Sequence, residues 1–434
     1  MPALRGLLAD TRPLAEPHYR RLWLANIVTV IGAQLTVVAV PAQIYGITGS
    51  SAYVGLTGVF GLVPLVVFGL WGGALADAVD RRTLLICTTF GLIGTSALFW
   101  LQAAAGNTNV WLLLGLFSVQ QAFFAVNQPT RSAVLPKLLP AHLLPAANSL
   151  NMTVFQAGAI AGPLVAGALI PVLGFSWLYL ADTVTLFATL FAVVGLPRLP
   201  VEGAITSPGL RSVVDGLAYL RHHPVLLMSF VVDIIAMVFG MPRALFPEIA
   251  HTSFGGPDEG GLAFALLFAA IPAGAVLGGV FSGWVSRIER QGLAVIWAIV
   301  VWGVAMTGFG IAAGLADGAA GTMLAVAVGM LVVGGAADMV SAAFRTSMLQ
   351  SAASDDVRGR LQGIFIVVVA GGPRIADVVH GSAAAMVGAA AAAAGGGVLV
   401  VVGTAVAALA VPAFVRYRLP RPTGDESAPA PGSA

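Results

Sequence analysis

Long apolar runs, each about the length of one bilayer crossing, follow one another along nearly the whole chain, parted by short polar or glycine-rich breaks. A helix needs about 20 predominantly apolar residues to cross the hydrocarbon of a bilayer. Twelve such runs can be placed, at 22–46, 53–74, 83–105, 109–130, 148–171, 175–196, 225–248, 262–285, 292–314, 321–344, 361–388 and 397–415. Backbone polar groups at that depth must be satisfied within their own segment, so the pattern predicts an all-α polytopic membrane protein. The faintest break is the last, Ala393 to Gly397.

The longest polar interruption runs from Pro197 to Pro224 and separates two groups of six spans. Within it, Leu210 to Leu220 is helix-periodic and suits the membrane surface. The expected organisation is a cytoplasmic N-terminus at 1–21, a six-helix bundle at 22–196, a cytoplasmic linker at 197–224, a second bundle at 225–415 and a disordered cytoplasmic tail at 416–434. The halves share features. Arg131 and Leu135 at the end of the fourth span match Arg345 and Leu349 at the end of the tenth, at a constant offset of 214 residues. Pro41 and Pro247 close the first and seventh spans, and Pro64 and Pro272 fall within the second and eighth. Parallel six-helix repeats around a central cavity are a common plan for secondary transporters.

Composition sharpens this picture. Of the residues, 58% are apolar and only 9% charged, with a mean hydropathy of +0.93. Nineteen of the 21 basic side chains fall outside the spans, all in alternate connections: the N-terminus, the 2–3, 4–5, 6–7, 8–9 and 10–11 loops, and the tail. The intervening connections hold none. Cationic loops stay cytoplasmic, so both termini are inside and the protein is expected in the cytoplasmic (inner) membrane. A net charge of +2 with no basic block argues against a nucleic-acid partner. The first apolar run is too long for a cleavable signal. Cys87 stands alone, which excludes an internal disulfide, and reads as a small buried apolar residue. Lys137 is the only lysine and lacks a phosphate-loop glycine before it, and there is no HExxH or GxSxG. A phosphate-loop nucleotide site is thereby excluded, no cofactor is implied, and the expected energy source is an ion gradient, in the first place protons, or none.

The 2–3 connection reads Gly73-Ala-Leu-Ala-Asp77-Ala-Val-Asp80-Arg81-Arg82. Gly73 permits close helix approach, Asp77 suits the positive N-terminus of a neighbouring helix or a pairing with Arg131, and the arginines suit the anionic leaflet. This resembles the signature loop of the major facilitator superfamily, which implies that fold, with 12 transmembrane helices in two six-helix bundles. On the fifth span, Gly158, Gly162, Pro163 and Gly167 resemble that superfamily's antiporter motif, with Ala166 in place of one glycine. Small residues also favour plain helix packing, and the motif implies export more than import. Val40-Pro41-Ala-Gln43-Ile44, Ala269 to Ala275, Met348-Leu349-Gln350 and Arg358-Gly359-Arg360-Leu-Gln-Gly363 resemble the enterobactin (siderophore) exporter branch, whose neighbours include multidrug efflux proteins. The segment Gly371 to His380 is more charged than that branch's corresponding helix.

Ionisable residues inside spans cost roughly 2.5–3.5 kcal/mol each, so each needs a partner or a function. Asp233, Asp338, Asp377 and Arg374 are candidates for proton coupling, with His380 beside them and Asp182 a candidate for packing. Arg374, Asp377 and His380 share one helix face, and Asp338 and Arg345 another. Each charge has two readings, a proton carrier or a static ion pair. Asn26, Gln34, Gln120, Gln121, Asn127, Phe123 and Phe155 are candidates for a substrate cavity, although Asn127 and Arg131 equally suit a cytoplasmic gate.

These features together predict a proton-coupled exporter of a siderophore or amphipathic drug-like molecule, embedded in lipid as a monomer. An importer of a small solute and a non-transporting receptor or scaffold are the alternatives. The buried charges speak against the scaffold, which would gain by replacing them with apolar residues. The topology is directly testable. In a background lacking Cys87, cysteines placed at Arg5, Arg211 and Arg421 are expected to resist a membrane-impermeant thiol reagent in intact cells, while Asp258→Cys reacts. Labelling of the first three from outside reverses the orientation.

Overall fold

The protein is described from a computed structural model, which covers residues 10–76, 79–198, 218–257, 259–352 and 355–418. Most of the expected linker, at 199–217, lies outside the described residues. In the first half the helices are α1 (Pro17–Thr48), α2 (Ser51–Ala76), α3 (Arg81–Ala104), α4 (Val110–Leu138) and α5 (Leu144–Val194). The second half holds α6 (Pro224–Gly240), α7 (Phe246–Thr252), α8 (Gly261–Val280), α9 (Gln291–Gly314), α10 (Thr322–Ala352), α11 (Asp355–Val387), α12 (Ala389–Ala410) and the short α13 (Pro412–Val415). Among the described residues, ten helical stretches are long and apolar enough to cross a membrane. Large apolar side chains such as Phe191, Trp297 and Leu409 stand exposed on the outer surface, where a soluble protein would hide them.

Each of the expected spans falls on helix, but the breaks differ from the sequence reading in two places. The fifth and sixth spans are two legs of α5 that part at Gly174, inside the expected break at 172–174, with a φ of 74° that only glycine adopts readily. The last boundary lies at Gly388, with φ 84°, so α12 begins at Ala389 and not near 397. The alanine-rich stretch that looked like a break is helix, because alanine is the strongest helix former. The seventh span is interrupted. α6 stops at Gly240, Met241 and Pro242 are non-helical, Arg243–Leu245 form one 3-10 turn, and α7 follows. Pro242 offers no N–H and pushes Met241 out of helical geometry, to φ −113° and ψ 86°. Pro247 consequently opens α7 in its first turn, where a missing N–H costs nothing, and does not close the seventh span.

Within the first half α1 lies on α5, α2 on α4, and α3 on α4 and α5. Within the second half α9 lies on α10 and α12, α8 on α10, and α6 on α11 and α12. The halves meet along two seams, α2 on α11 and α5 on α8. Each seam joins the second span of one half to the fifth of the other, an arrangement that parallel repeats produce. The halves also touch at the end remote from the chain termini. There the Tyr45 and His251 rings lie 6.3 Å apart and Gly46 faces Glu259.

The α2–α11 seam depends on small residues. A Cβ on Gly58 would strike the Arg374 carbonyl oxygen, and one on Gly61 would lie 3.1 Å from the Arg374 guanidinium carbon. Gly58→Val is therefore expected to lower stability by about 1–3 kcal/mol through overpacking, read as a drop in melting temperature of the purified protein. Gly69→Val, with nothing within 4 Å of its Cβ position, serves as the neutral control.

Candidate functional site

The charged residues expected inside the bilayer gather on the second half. On α11, Arg374 turns toward the first half and bridges the seam. Its Nη2 donates to Gln121 Oε1 on α4 at 3.1 Å, and its guanidinium carbon stands 5.2 Å from the centre of the Phe117 ring. The amide oxygen and the aromatic face both stabilise a cation that has left water. Asp377, one turn on, is 9% exposed and lies within electrostatic reach of Arg374 and Arg243. His380 is buried, and its Nε2–H donates to the Phe239 carbonyl at 3.1 Å, tying α11 to the end of α6 just before the break.

Asp233 on α6 is fully buried and forms an ion pair with Arg345 on α10. Arg345 is also buried, and its Nε donates to Ser341 Oγ at 3.2 Å. The structure thus pairs Arg345 with another helix. Asp338, on the same helix as Arg345 and half-buried, is in electrostatic reach of Arg345, Asp233 and Arg243 but has no ion pair among the described residues. Arg243, in the break of the seventh span, adds a third cation that the sequence reading passed over. The cluster therefore holds three aspartates, 233, 338 and 377, and three arginines, 243, 345 and 374, whose formal charges cancel.

Chemically this arrangement can be rearranged. One pair is locked and dry, whereas the remaining acids and bases face one another without direct pairing. Adding a proton to Asp338 or Asp377 leaves an arginine uncompensated and favours a new partner for it. No group of His, Cys, Asp and Glu among the described residues is placed to hold a metal.

The first half is polar in a different way. Asp182 is buried in the bundle and accepts hydrogen bonds from Thr36 Oγ1 at 2.7 Å and Ser96 Oγ at 2.9 Å. Nearby, Gln43 and Gln102 pair through their amides, and the Tyr179 hydroxyl donates to Gln43 at 2.8 Å. These groups join α1, α3 and α5 inside the half, in keeping with a packing role for Asp182.

The cavity candidates separate. Gln121 belongs to the seam through Arg374. Asn127 is buried and donates to Thr88 on α3 at 2.8 Å, and the Phe123 ring packs on Gly91 of α3, so both serve the α3–α4 contact. Asn26, Gln34 and Gln120 are half-buried, and Phe155 is 48% exposed. Phe117 was missed, since an aromatic in an apolar run carries no signal of a cation above it. Arg243 had a signal: a Gly240-Met-Pro242 break in an apolar run marks a discontinuous helix, the element that builds transporter sites.

The motif residues mostly hold helices together. Asp80 caps α3 by accepting from Thr83 N at 3.2 Å, and Arg82 donates to Val194 O at 2.8 Å, at the C-terminal end of α5. Arg81 and Arg131 reach the carbonyls of Ala133 and Leu22 at 3.5 Å. Gly73 falls within α2, and Asp77 lies outside the described residues. On α5, Gly158 and Gly162 admit Val30 and Gln34 of α1, while Gly167 admits Ala265 of α8 across the second seam. Pro163 is buried in α5 between them. Cys87, read as buried, is exposed on the outer face of α3. An apolar thiol meets lipid there at little cost.

Comparison with known proteins agrees with this architecture. The profile of a family described as transmembrane secretion effector matches residues 9–427. The chain is 26% identical over 372 residues to the enterobactin exporter EntS of Shigella boydii serotype 18, covering 85% of each chain. It is 25% identical, over the same length and coverage, to that of Escherichia coli O1:K1. Among solved structures, the nucleoside transporter NupG superposes with a TM-score of 0.74 at 12% identity, over 92% of this chain and 99% of that one. A bacterial homologue of the iron transporter ferroportin in its inward-facing state gives 0.67 at 16% identity, over 92% and 98%.

The locked pair has a measurable consequence. Arg345→Met leaves the Asp233 carboxylate buried and unpaired, a loss of about 3–5 kcal/mol. Poor yield and a lowered melting temperature are expected. Replacing both partners, as Asp233→Leu with Arg345→Met, is expected to restore much of that stability.

Proposed function

We propose that this chain, which belongs to the transmembrane secretion effector family, exports a siderophore or an amphipathic drug-like molecule in exchange for protons. It is a membrane transporter of the major facilitator type and not an enzyme. The proposal places twelve crossings in the cytoplasmic membrane, both termini inside, with substrate moving by alternating access between the halves. The direction of transport is drawn from the relatives named enterobactin exporters and from the antiporter-like glycines of α5.

The observation that carries the coupling is the cluster of cancelling charges at bilayer depth, where Asp338 and Asp377 lack direct ion pairs among the described residues. Charges there are costly unless they function. A static packing role is already filled by Asp233 with Arg345. Rocking of the halves about the α2–α11 seam separates Arg374 from Gln121 and Phe117, which lie on the opposite half. The freed guanidinium then turns to Asp377, displacing a proton from that carboxyl. A proton taken up in one conformation is thus released in the other.

The test is proton flux driven by substrate in reconstituted vesicles under an imposed pH gradient, with enterobactin or a lipophilic dye as test substrate. Asp338→Asn and Asp377→Asn keep shape and much of the hydrogen bonding but remove the titratable group. At least one is expected to abolish coupled flux and accumulation against a gradient while downhill movement persists. Full coupling in both variants makes these charges packing elements.

A further inference from the structure

Arg243 is the one arginine of the cluster that neither locks a pair nor bridges the seam. The residues around it are buried: Met241 is 6% exposed, Ala244 2%, Leu245 0% and Phe246 1%. Arg243 itself is exposed. It makes no hydrogen bond and no ion pair among the described residues, and its interactions are electrostatic ones at longer range, with Asp377, Asp338 and Arg374. Its turn packs against α11 and against α2, where the two halves meet, and its side chain lies within electrostatic reach of Asp377 and Asp338.

An exposed guanidinium without a direct partner between the halves presents a planar fork of donors that matches an oxyanion. Arg345 has a carboxylate in direct contact, and Arg374 an amide oxygen and an aromatic face; among the described residues Arg243 has only distant carboxylates. The break at Met241–Pro242 holds it in place, because the turn that carries it is fixed by buried neighbours on both sides. We propose that Arg243 binds the acidic oxygen group of the transported molecule, making an amphipathic anion the preferred ligand. The proposal rests on the reading of the seam as the transport path. It also links binding to coupling. A ligand anion that occupies Arg243 screens it from Asp377 and Asp338, and those carboxylates then take up protons more readily.

Two fluorescent probes that differ only in charge test this: dansylglycine, an aromatic carboxylate, and dansylglycinamide, its neutral amide. Binding is titrated on the purified full-length protein in lipid nanodiscs. Wild type is expected to bind the anion about tenfold tighter or more, as a charge-assisted bidentate pair would give. Arg243→Gln is expected to erase the difference, and Arg416→Gln, at an exposed position beyond α13, to preserve it. Arg243→Lys keeps the charge but not the fork, so its preference is expected to fall between the two; it is read in place of Arg243→Gln should that variant fail to fold. Equal binding of the probes to wild type, no binding of the anion, or a preference undiminished in both Arg243 variants overturns the proposal. The readout needs no proton gradient and no transport. Loss of coupled export therefore leaves it standing, whereas export of neutral dyes without any anion preference overturns it alone.

Discussion

A charge among apolar helices needs a partner or an opening to water, and the side chains of the second half answer to that constraint together. Three aspartates and three arginines sit within electrostatic reach of one another, and their charges cancel. What differs is how each is satisfied. Asp233 and Arg345 meet directly in a dry interface and have no freedom. Arg374 is satisfied by an amide oxygen and an aromatic face belonging to the opposite half. Arg243 has no hydrogen bond or ion pair among the described residues. The same chemical group is thus a packing element, a bridge and an open site, according to what the surrounding helices present to it.

The bridge exists because of a packing detail. Gly58 and Gly61 remove side chains from the face of α2 that meets α11, so the α11 backbone comes close enough for Arg374 to reach past α2 to α4. A wider seam would leave that guanidinium stranded. The second seam follows the same logic, with Gly167 of α5 admitting Ala265 of α8. Because the contacts that join the halves and the charges that face them are partly the same residues, any motion of one half against the other changes the electrostatics of the cluster. Packing and charge are one system here.

Much of this was legible in the chain. The length of an apolar run is a one-dimensional quantity fixed by the bilayer, so the spans could be placed without knowing their neighbours. Charges inside such runs stand out for the same reason, which is how Asp233, Asp338, Asp377 and Arg374 were found. Partner identity was not legible. Spacing places Arg345 on one helix face with Asp338, which stays within its electrostatic reach, but the carboxylate in direct contact is Asp233 on α6, and only three-dimensional packing reveals that. A turn made by a single glycine, Gly388, leaves no polar gap, so the start of α12 is blurred in the sequence, whereas the break at Gly174 falls inside the expected connection. Asn127 and Phe123 looked like cavity residues by type alone, yet α3 lies against that face of α4 and takes both. Arg243 was readable in principle from the proline before it, and was overlooked because the run continues unbroken in hydropathy.

The two halves, alike in helix packing, have diverged in what they bury. The first half neutralises its one deep aspartate with hydroxyl groups, Thr36 and Ser96, on helices of the same bundle. Those hydroxyl groups belong to the same bundle as Asp182, so under the proposed alternating access the aspartate keeps them as the halves rock. The second half neutralises its acids with arginines, and one of those arginines depends on the first half for its own satisfaction. A cycle in which the halves separate therefore perturbs charge in the second half only. Under the proposed exchange mechanism, this confines proton chemistry to α10 and α11, while the first half acts as the surface against which Arg374 is gained and lost.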